Sequence, residues 1–214
     1  VLVGVGIFGD VALNLEANGP LIQSDVAIAN GLHDVALHSA PFVRDAMICG
    51  FYLGEHVIFV IGAGLALYFL FRRYWPELSM VVIAWGGELF ILFVLSALFH
   101  RPRPQFAVSV WHYMPSPGFP SGHSISAVLC YGLLAYLIVP KLPSPVEKVT
   151  VVVAAVLVVL FIGFSRVFVG DHYPMDVVAG YAVGFAWAGL VYTSVELIAQ
   201  RTDLRKDVPV RSTR

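Results

Sequence analysis

The chain has 214 residues, 58% hydrophobic and only 13% charged, with a formal net charge of -1. A soluble domain carries about 25% charged residues, so these values exclude an ordinary soluble globular protein. The balanced charge gives no basic footprint for nucleic acid, and the two distant cysteines, Cys49 and Cys130, give neither a disulfide framework nor a metal-ligand spacing.

Long apolar runs without polar alternation predict an all-α integral membrane protein, a bundle of six transmembrane helices in one domain spanning residues 1–214. The chain opens at Val1 without Met, and Val1 to Leu15 is read as the truncated end of a first span. Glu16 to Phe42 is a polar connection in which Gly19-Pro20 marks a turn and Asp25 to His38 forms a short helix along the membrane surface. A second span runs from Ala46 to Phe71 and carries Glu55 and His56; a third runs from Leu78 to Phe99 and contains Glu88. The two buried carboxylates are expected as a hydrogen-bonded or protonated pair, with a headgroup path as the alternative. After a Pro-rich segment, His100 to Gly122, come spans at His123–Val139, Val149–Phe164 and Asp176–Ile198, then a polar tail from residue 199 to Arg214.

Six spans divide the loops between two faces. Arg72, Arg73, Lys141, Lys148, Arg201, Arg205, Lys206, Arg211 and Arg214 fall on one face, against Arg44, Arg101, Arg103 and Arg166 on the other. The excess of basic residues makes the first face cytoplasmic. The second is then extracytoplasmic, and three polar clusters lie on it.

The most informative cluster is Ser165-Arg166-Val167-Phe168-Val169-Gly170-Asp171-His172-Tyr173-Pro174-Met175-Asp176. Ionisable groups between apolar runs mark function by default in a membrane protein. With a helix beginning near His172, Asp176 shares its face four residues on and can orient one ring nitrogen. The other nitrogen is left unprotonated and nucleophilic, close to a positive helix end. Arg166 adds a fork suited to phosphate. The second cluster is His100-Arg101-Pro102-Arg103-Pro104, stiff and extended because each Pro pushes its predecessor out of the helical region. The third is Pro120-Ser121-Gly122-His123, where Ser121 can cap a helix and Gly122 lets backbone N–H groups approach an anion. Singly, the first reads equally well as a capped loop, and the other two more readily as an interfacial anchor and a structural histidine. Together on one face they make a phosphoryl site, with positive charge for the oxygens, one histidine to attack and one to give a proton.

The order and spacing of these motifs resemble the type-2 phosphatidic acid phosphatase superfamily, in its membrane lipid phosphatase branch. That group includes undecaprenyl-diphosphate and phosphatidylglycerophosphate phosphatases. The resemblance implies a lipid phosphate or diphosphate phosphatase of the bacterial plasma membrane that needs no metal or other cofactor. By it, His172 is the nucleophile forming a phosphohistidine, Asp176 orients it and His123 is the acid for the leaving group. Arg103, Ser121, Gly122 and Arg166 hold the phosphoryl oxygens. The family's first motif has Lys, six intervening residues and then Arg-Pro, which puts Ser96 of this chain where the Lys stands; Arg101 or His100 is the nearby substitute. Undecaprenyl diphosphate and phosphatidate-type lipids are the substrates implied. A lipid phosphotransferase and a non-catalytic lipid-binding or transport protein are the competing functions.

Overall fold

The computed structural model describes residues 1–106 and 116–206, with side chains described to residue 201. Among them there is no strand. Eight α-helices follow one another: α1 Leu2–Glu16, α2 Pro20–His38, α3 Pro41–Tyr52, α4 Ile58–Arg72, α5 Trp75–Phe99, α6 Gly122–Ile138, α7 Pro145–Phe168 and α8 Pro174–Lys206. A π-helical turn, Leu53–Val57, joins α3 to α4, so the two form one long helix with a local widening.

Among the described residues, five helices are long and apolar enough to cross a membrane: Pro41–Arg72, Trp75–Phe99, Gly122–Lys141, Pro145–Phe168 and Pro174–Arg201. Many of their large apolar side chains point outward, Phe59, Phe71, Leu89 and Phe93 among them, as a lipid-facing surface requires. At 15 residues, α1 is shorter than the roughly 20 a span needs, and it packs along α8.

Several expected boundaries shift, each for a local reason. α7 begins at Pro145 because Ser144 and Glu147 form a reciprocal capping box. It also runs four residues past the expected end, so Ser165 and Arg166 belong to its last turn and not to a loop. α8 begins at Pro174, which leaves His172 two residues outside the helix. α2 starts at Pro20 and is longer than expected. The tail expected from residue 199 begins inside α8, and its end, 207–214, lies outside the described residues.

The contact between α6 and α8 fixes the geometry of the site. A Cβ on Gly180 would stand 2.6 Å from the Ser121 carbonyl oxygen, and one on Gly184 would stand 2.9 Å from Val128 Cβ. Small residues thus let the two backbones approach, the usual device for helix pairs in lipid. Their N-terminal ends are further tied by the Ser121 N–H, which donates to the Asp176 carbonyl at 2.9 Å.

α2 closes this end of the bundle. Its buried residues Ile22, Asp25, Ala29, His33 and Ala36 recur at helical spacing, and it packs against α7 and α8. The His33 ring stacks on Phe106 at 3.7 Å between centroids. Both rings lie over Gly170, whose φ of 82° is a left-handed turn open chiefly to glycine.

Candidate active site

The three clusters meet at one end of the bundle. Four pieces of chain build the site: the N-terminus of α6, the last turn of α7, the 169–173 turn into α8, and the extended segment carrying Arg101 and Arg103. His172 lies at the centre, 1% exposed, with its N–H donating to the Arg166 carbonyl at 3.2 Å. Its Nδ1 faces Asp176 Oδ2 at 3.6 Å, just past hydrogen-bond reach, and its Nε2 lies 3.1 Å from Arg103 Nη1.

Asp176 is fixed by its own helix. It stands at the third position of α8 and reaches back to accept from the Tyr173 N–H at 2.9 Å, half of a capping box. Its other oxygen accepts from Arg101 Nη1 at 2.6 Å. Arg101 Nη2 then donates to Asp25 Oδ2 at 2.6 Å, and Asp25 Oδ1 accepts from the Met175 N–H at 2.7 Å. The guanidinium lies over the Tyr173 ring, 4.3 Å from its centroid. Arg101 therefore spends both terminal nitrogens on carboxylates behind His172, in contrast to the phosphate contact expected of it. Asp25, wholly buried, had been read only as part of a surface helix. Burial raises its carboxyl above the ordinary value, against the opposing pull of Arg101 and the Met175 N–H.

Arg103 faces the other side of the imidazole. Its Nη1 donates to Asp171 Oδ1 at 2.6 Å and to the Asp171 carbonyl at 3.1 Å; its Nε donates to the Ser116 carbonyl at 3.2 Å. Arg166, fully buried, donates from Nε and Nη2 to its neighbour Ser165 Oγ at 3.3 and 3.2 Å and lies over the Phe51 ring at 4.9 Å. Among the described residues its Nη1 has no hydrogen-bond partner, nor do Ser121 Oγ, His123 Nε2 and Ser124 Oγ. Those polar atoms come from the facing ends of α6 and α7. The first N–H groups of α6, at Gly122, His123 and Ser124, likewise have no intrahelical acceptor. Such an array of donors suits an anion.

Besides Asp25, two more residues enter the site that the sequence reading did not place in it. Glu55, on the π-helical turn, comes within 3.6 Å of His123 Nε2, while Glu88 accepts from Ser126 Oγ elsewhere in the bundle. The expected Glu55–Glu88 pair is thus absent. Asp171 enters the cluster itself, its Oδ2 at 3.9 Å from Arg166 Nη1 and 3.8 Å from His172 Nε2. Burial alone would raise its carboxyl, but His172, Arg103 and Arg166 outweigh this and hold it below the ordinary 3.8. The sequence has no metal spacing, yet the fold brings ligand atoms of His123, Asp171 and His172 within 4.8 Å of one another. His100 is exposed at the end of α5, and Ser96 is half-buried one turn earlier.

A family model described as the PAP2 superfamily matches residues 77–199. The chain is 38% identical over 151 residues to phosphatidylglycerophosphatase B of Bacillus subtilis (strain 168), a match covering 67% of this chain and 71% of the relative. It is 30% identical over 145 residues to lipid A 1-phosphatase of Rhizobium johnstonii, covering 60% of this chain and 55% of that one. Among solved structures, the transmembrane PAP2 type phosphatidylglycerolphosphate phosphatase from Bacillus subtilis superposes with a TM-score of 0.71 at 29% identity, covering 97% of this chain and 98% of that one. Aquifex aeolicus LpxE superposes with a TM-score of 0.61 over 78% of this chain and 94% of that one; at 19% identity this speaks to fold alone.

Proposed function

The chain belongs to the PAP2 superfamily and is a membrane lipid phosphatase, and from that premise we propose that it cleaves the phosphate of a glycerophospholipid through a phosphohistidine on His172. The observation that carries this reading is the setting of the imidazole. Nδ1 faces Asp176, Nε2 lies beside Arg103, and Arg166 Nη1 and Ser121 Oγ, at the facing ends of α7 and α6, have no hydrogen-bond partner among the described residues. Nε2 attacks phosphorus in line, the P–O bond to the lipid breaks, and His123 gives its proton to the leaving oxygen. Water then attacks the phosphohistidine and releases inorganic phosphate. Arg103, Arg166, Ser121 and the Gly122 N–H hold the three equatorial oxygens, whose charge spreads in the transition state. Asp176 keeps Nε2 as the free nitrogen, and Arg101 keeps Asp176 in place.

Phosphatidylglycerophosphate heads the substrates, because that activity names the 38% relative; phosphatidate and undecaprenyl diphosphate follow. No step needs a metal: Arg103 and Arg166 set two positive charges against His123, Asp171 and His172, which disfavours a cation among them. The packing of α1 along α8 supports a six-helix membrane domain, and the basic residues at the opposite end support an extracytoplasmic site in a bacterial plasma membrane.

Phosphate release from a panel of these lipids, with and without an added alcohol acceptor and with EDTA throughout, tests the reading. We expect release from phosphatidylglycerophosphate, retained under chelation and trapped as an acid-labile phosphohistidine. Release that vanishes with EDTA overturns the histidine route. Transfer to the alcohol in preference to water makes the protein a phosphotransferase, and no turnover of any lipid makes it a binding or transport protein. In a Cys49→Ser background, cysteines at Gln105 and Lys141 test the topology by labelling from opposite sides of intact cells, Gln105 from outside.

A further inference from the structure

Beside His172 Nε2 lies a carboxylate for which the reaction above has no use. Asp171 is buried there, with one oxygen on Arg103 and the other turned towards Arg166 and His172 Nε2. Those are the groups assigned to the phosphoryl oxygens and to attack on phosphorus. A carboxylate and a phosphoryl group cannot both hold the same faces of two guanidinium groups.

Anchoring the arginines is the ordinary explanation for such a residue, and the other contacts argue against it. Arg103 is already held by the Ser116 carbonyl at 3.2 Å, the Ser116 hydroxyl at 3.3 Å and the backbone carbonyl of residue 171 at 3.1 Å. Arg166 is held by Ser165 Oγ and the Phe51 ring. None of these contacts involves the Asp171 side chain. Removing its charge leaves both forks oriented and takes away the anion that neutralises them.

We propose that Asp171 is a specificity-determining residue: a tethered counter-anion that competes with phosphate for Arg103 and Arg166, so that lipid-borne phosphate is admitted and free phosphate is shed. This rests on the reading that those two arginines take the phosphoryl oxygens. Charge-assisted bonds from two guanidinium groups in a water-poor pocket would hold inorganic phosphate strongly and slow its release. A carboxylate attached to the chain beside His172 is always present to take its place. A lipid phosphate brings acyl chains already seated in the bilayer, and this additional binding favours it over the carboxylate. Inorganic phosphate has no such help. Displacement needs only a rotation of the Asp171 side chain.

The test uses the purified full chain in nanodiscs, with EDTA present, and measures competitive inhibition by inorganic phosphate and by vanadate. Asp171→Asn keeps the size and removes the charge; Asp171→Ser removes the reach as well. Both should lower the inhibition constant for phosphate by about tenfold or more, the scale of one charge-assisted contact, with progress curves that flatten early. An inhibition constant unchanged or raised in both folded variants overturns the proposal. Arg166→Gln, assayed alongside, tests the premise separately. It should weaken phosphate and vanadate binding, and if it does not, the assignment of the arginines is wrong whatever Asp171 does.

Discussion

Arg101 and Arg103 stand two residues apart on one Pro-stiffened segment and serve opposite sides of the same imidazole. Arg103 lies in front, beside Nε2, where its carboxylate partner is exchangeable for a phosphoryl group on the proposed reading. Arg101 lies behind, bonded at 2.6 Å to both Asp25 and Asp176. An extended Pro-rich segment turns about three residues per repeat, so side chains two apart leave in different directions. The rear group is closed: Arg101 is 6% exposed and both carboxylates 0%, and backbone N–H groups at the start of α8 take their remaining oxygens. That helix end also offsets the surplus negative charge of two carboxylates on one guanidinium. On the proposed reading the front group takes the phosphoryl oxygens and the rear group holds the imidazole in place.

The largest effect should come from the residue between them. His172→Ala should remove turnover almost entirely, by about 10⁴-fold or more, as loss of a nucleophile does elsewhere. A loss of only a few-fold in lipid phosphate release would end the proposed mechanism and the front–rear division with it.

The two arginines should then fail differently. Arg103→Ala removes one cation from Asp171 but leaves Arg166 facing it, so it should cost less stability than the rear variant while kcat falls about a hundred-fold and vanadate binding weakens. Arg101→Ala strands Asp25 and Asp176 without their cation, which costs about 3–5 kcal/mol for a buried ion pair broken from one side. Thermal unfolding should show that loss, and activity should fall with the folded fraction. Equal stability of the two variants would erase the distinction between front and rear.

Asp25→Asn separates positioning from folding, since the amide oxygen can still accept from the Met175 N–H. We expect kcat to drop roughly tenfold with KM little changed, the mark of an interaction felt in the transition state. The acid limb supplies a second measure. Because burial raises the Asp25 carboxyl, it takes up a proton at higher pH than an exposed aspartate, and Arg101 then loses one of its anionic partners. Asp176 and Tyr173 face the same guanidinium. Activity should therefore begin to fall above the ordinary 3.8 as pH decreases, and Asp25→Asn should flatten that part of the profile. An unchanged acid limb with normal kcat would make Asp25 a packing residue.

The front was far more legible in the sequence than the rear. The run from Ser165 to Asp176 announces a site because ionisable residues between apolar spans need a reason to be there, and His172 comes within 3.6 Å of Asp176 although the helix expected to align them begins only at Pro174. Arg101 was assigned to phosphate because its neighbour was; local sequence does not fix where a long side chain on an extended segment points. Asp25 went unassigned although a signal existed. It shares with His33 the buried stripe of Ile22, Ala29 and Ala36, where an amphipathic helix should carry only apolar residues. Its partners lie 76 and 150 residues away in the chain, and only the fold brings them together. Glu55 does not pair with Glu88, and its place near His123 was not legible because the π-helical turn that brings it there has no sequence signature.

The smallest expected effect concerns Ser96, where the family pattern has Lys. Before the structure, Arg101 was a fair candidate to supply the missing cation, and adding Lys would then have crowded an occupied position. Arg101 instead has both terminal nitrogens committed behind His172, so the front lacks the cation that the pattern supplies. Ser96 sits one turn before the end of α5, where its carbonyl accepts from the His100 N–H. A lysine stem there can follow the helix end outward and bring its ammonium towards Arg103 and Asp171. A full charge-assisted contact is worth about 1.5–3 kcal/mol, but Asp171 already competes in that pocket and will take part of it. Ser96→Lys should therefore raise kcat/KM on a monophosphate lipid only about three- to tenfold, and the double variant with Asp171→Asn should gain more than the sum of the two singles in free energy. A lysine turned to the rear would compete with Arg101 for Asp25 and Asp176, lowering both thermal stability and kcat. Kinetics and unfolding of the single and double variants distinguish these directions, and activity unchanged in all of them would remove position 96 from the phosphate site.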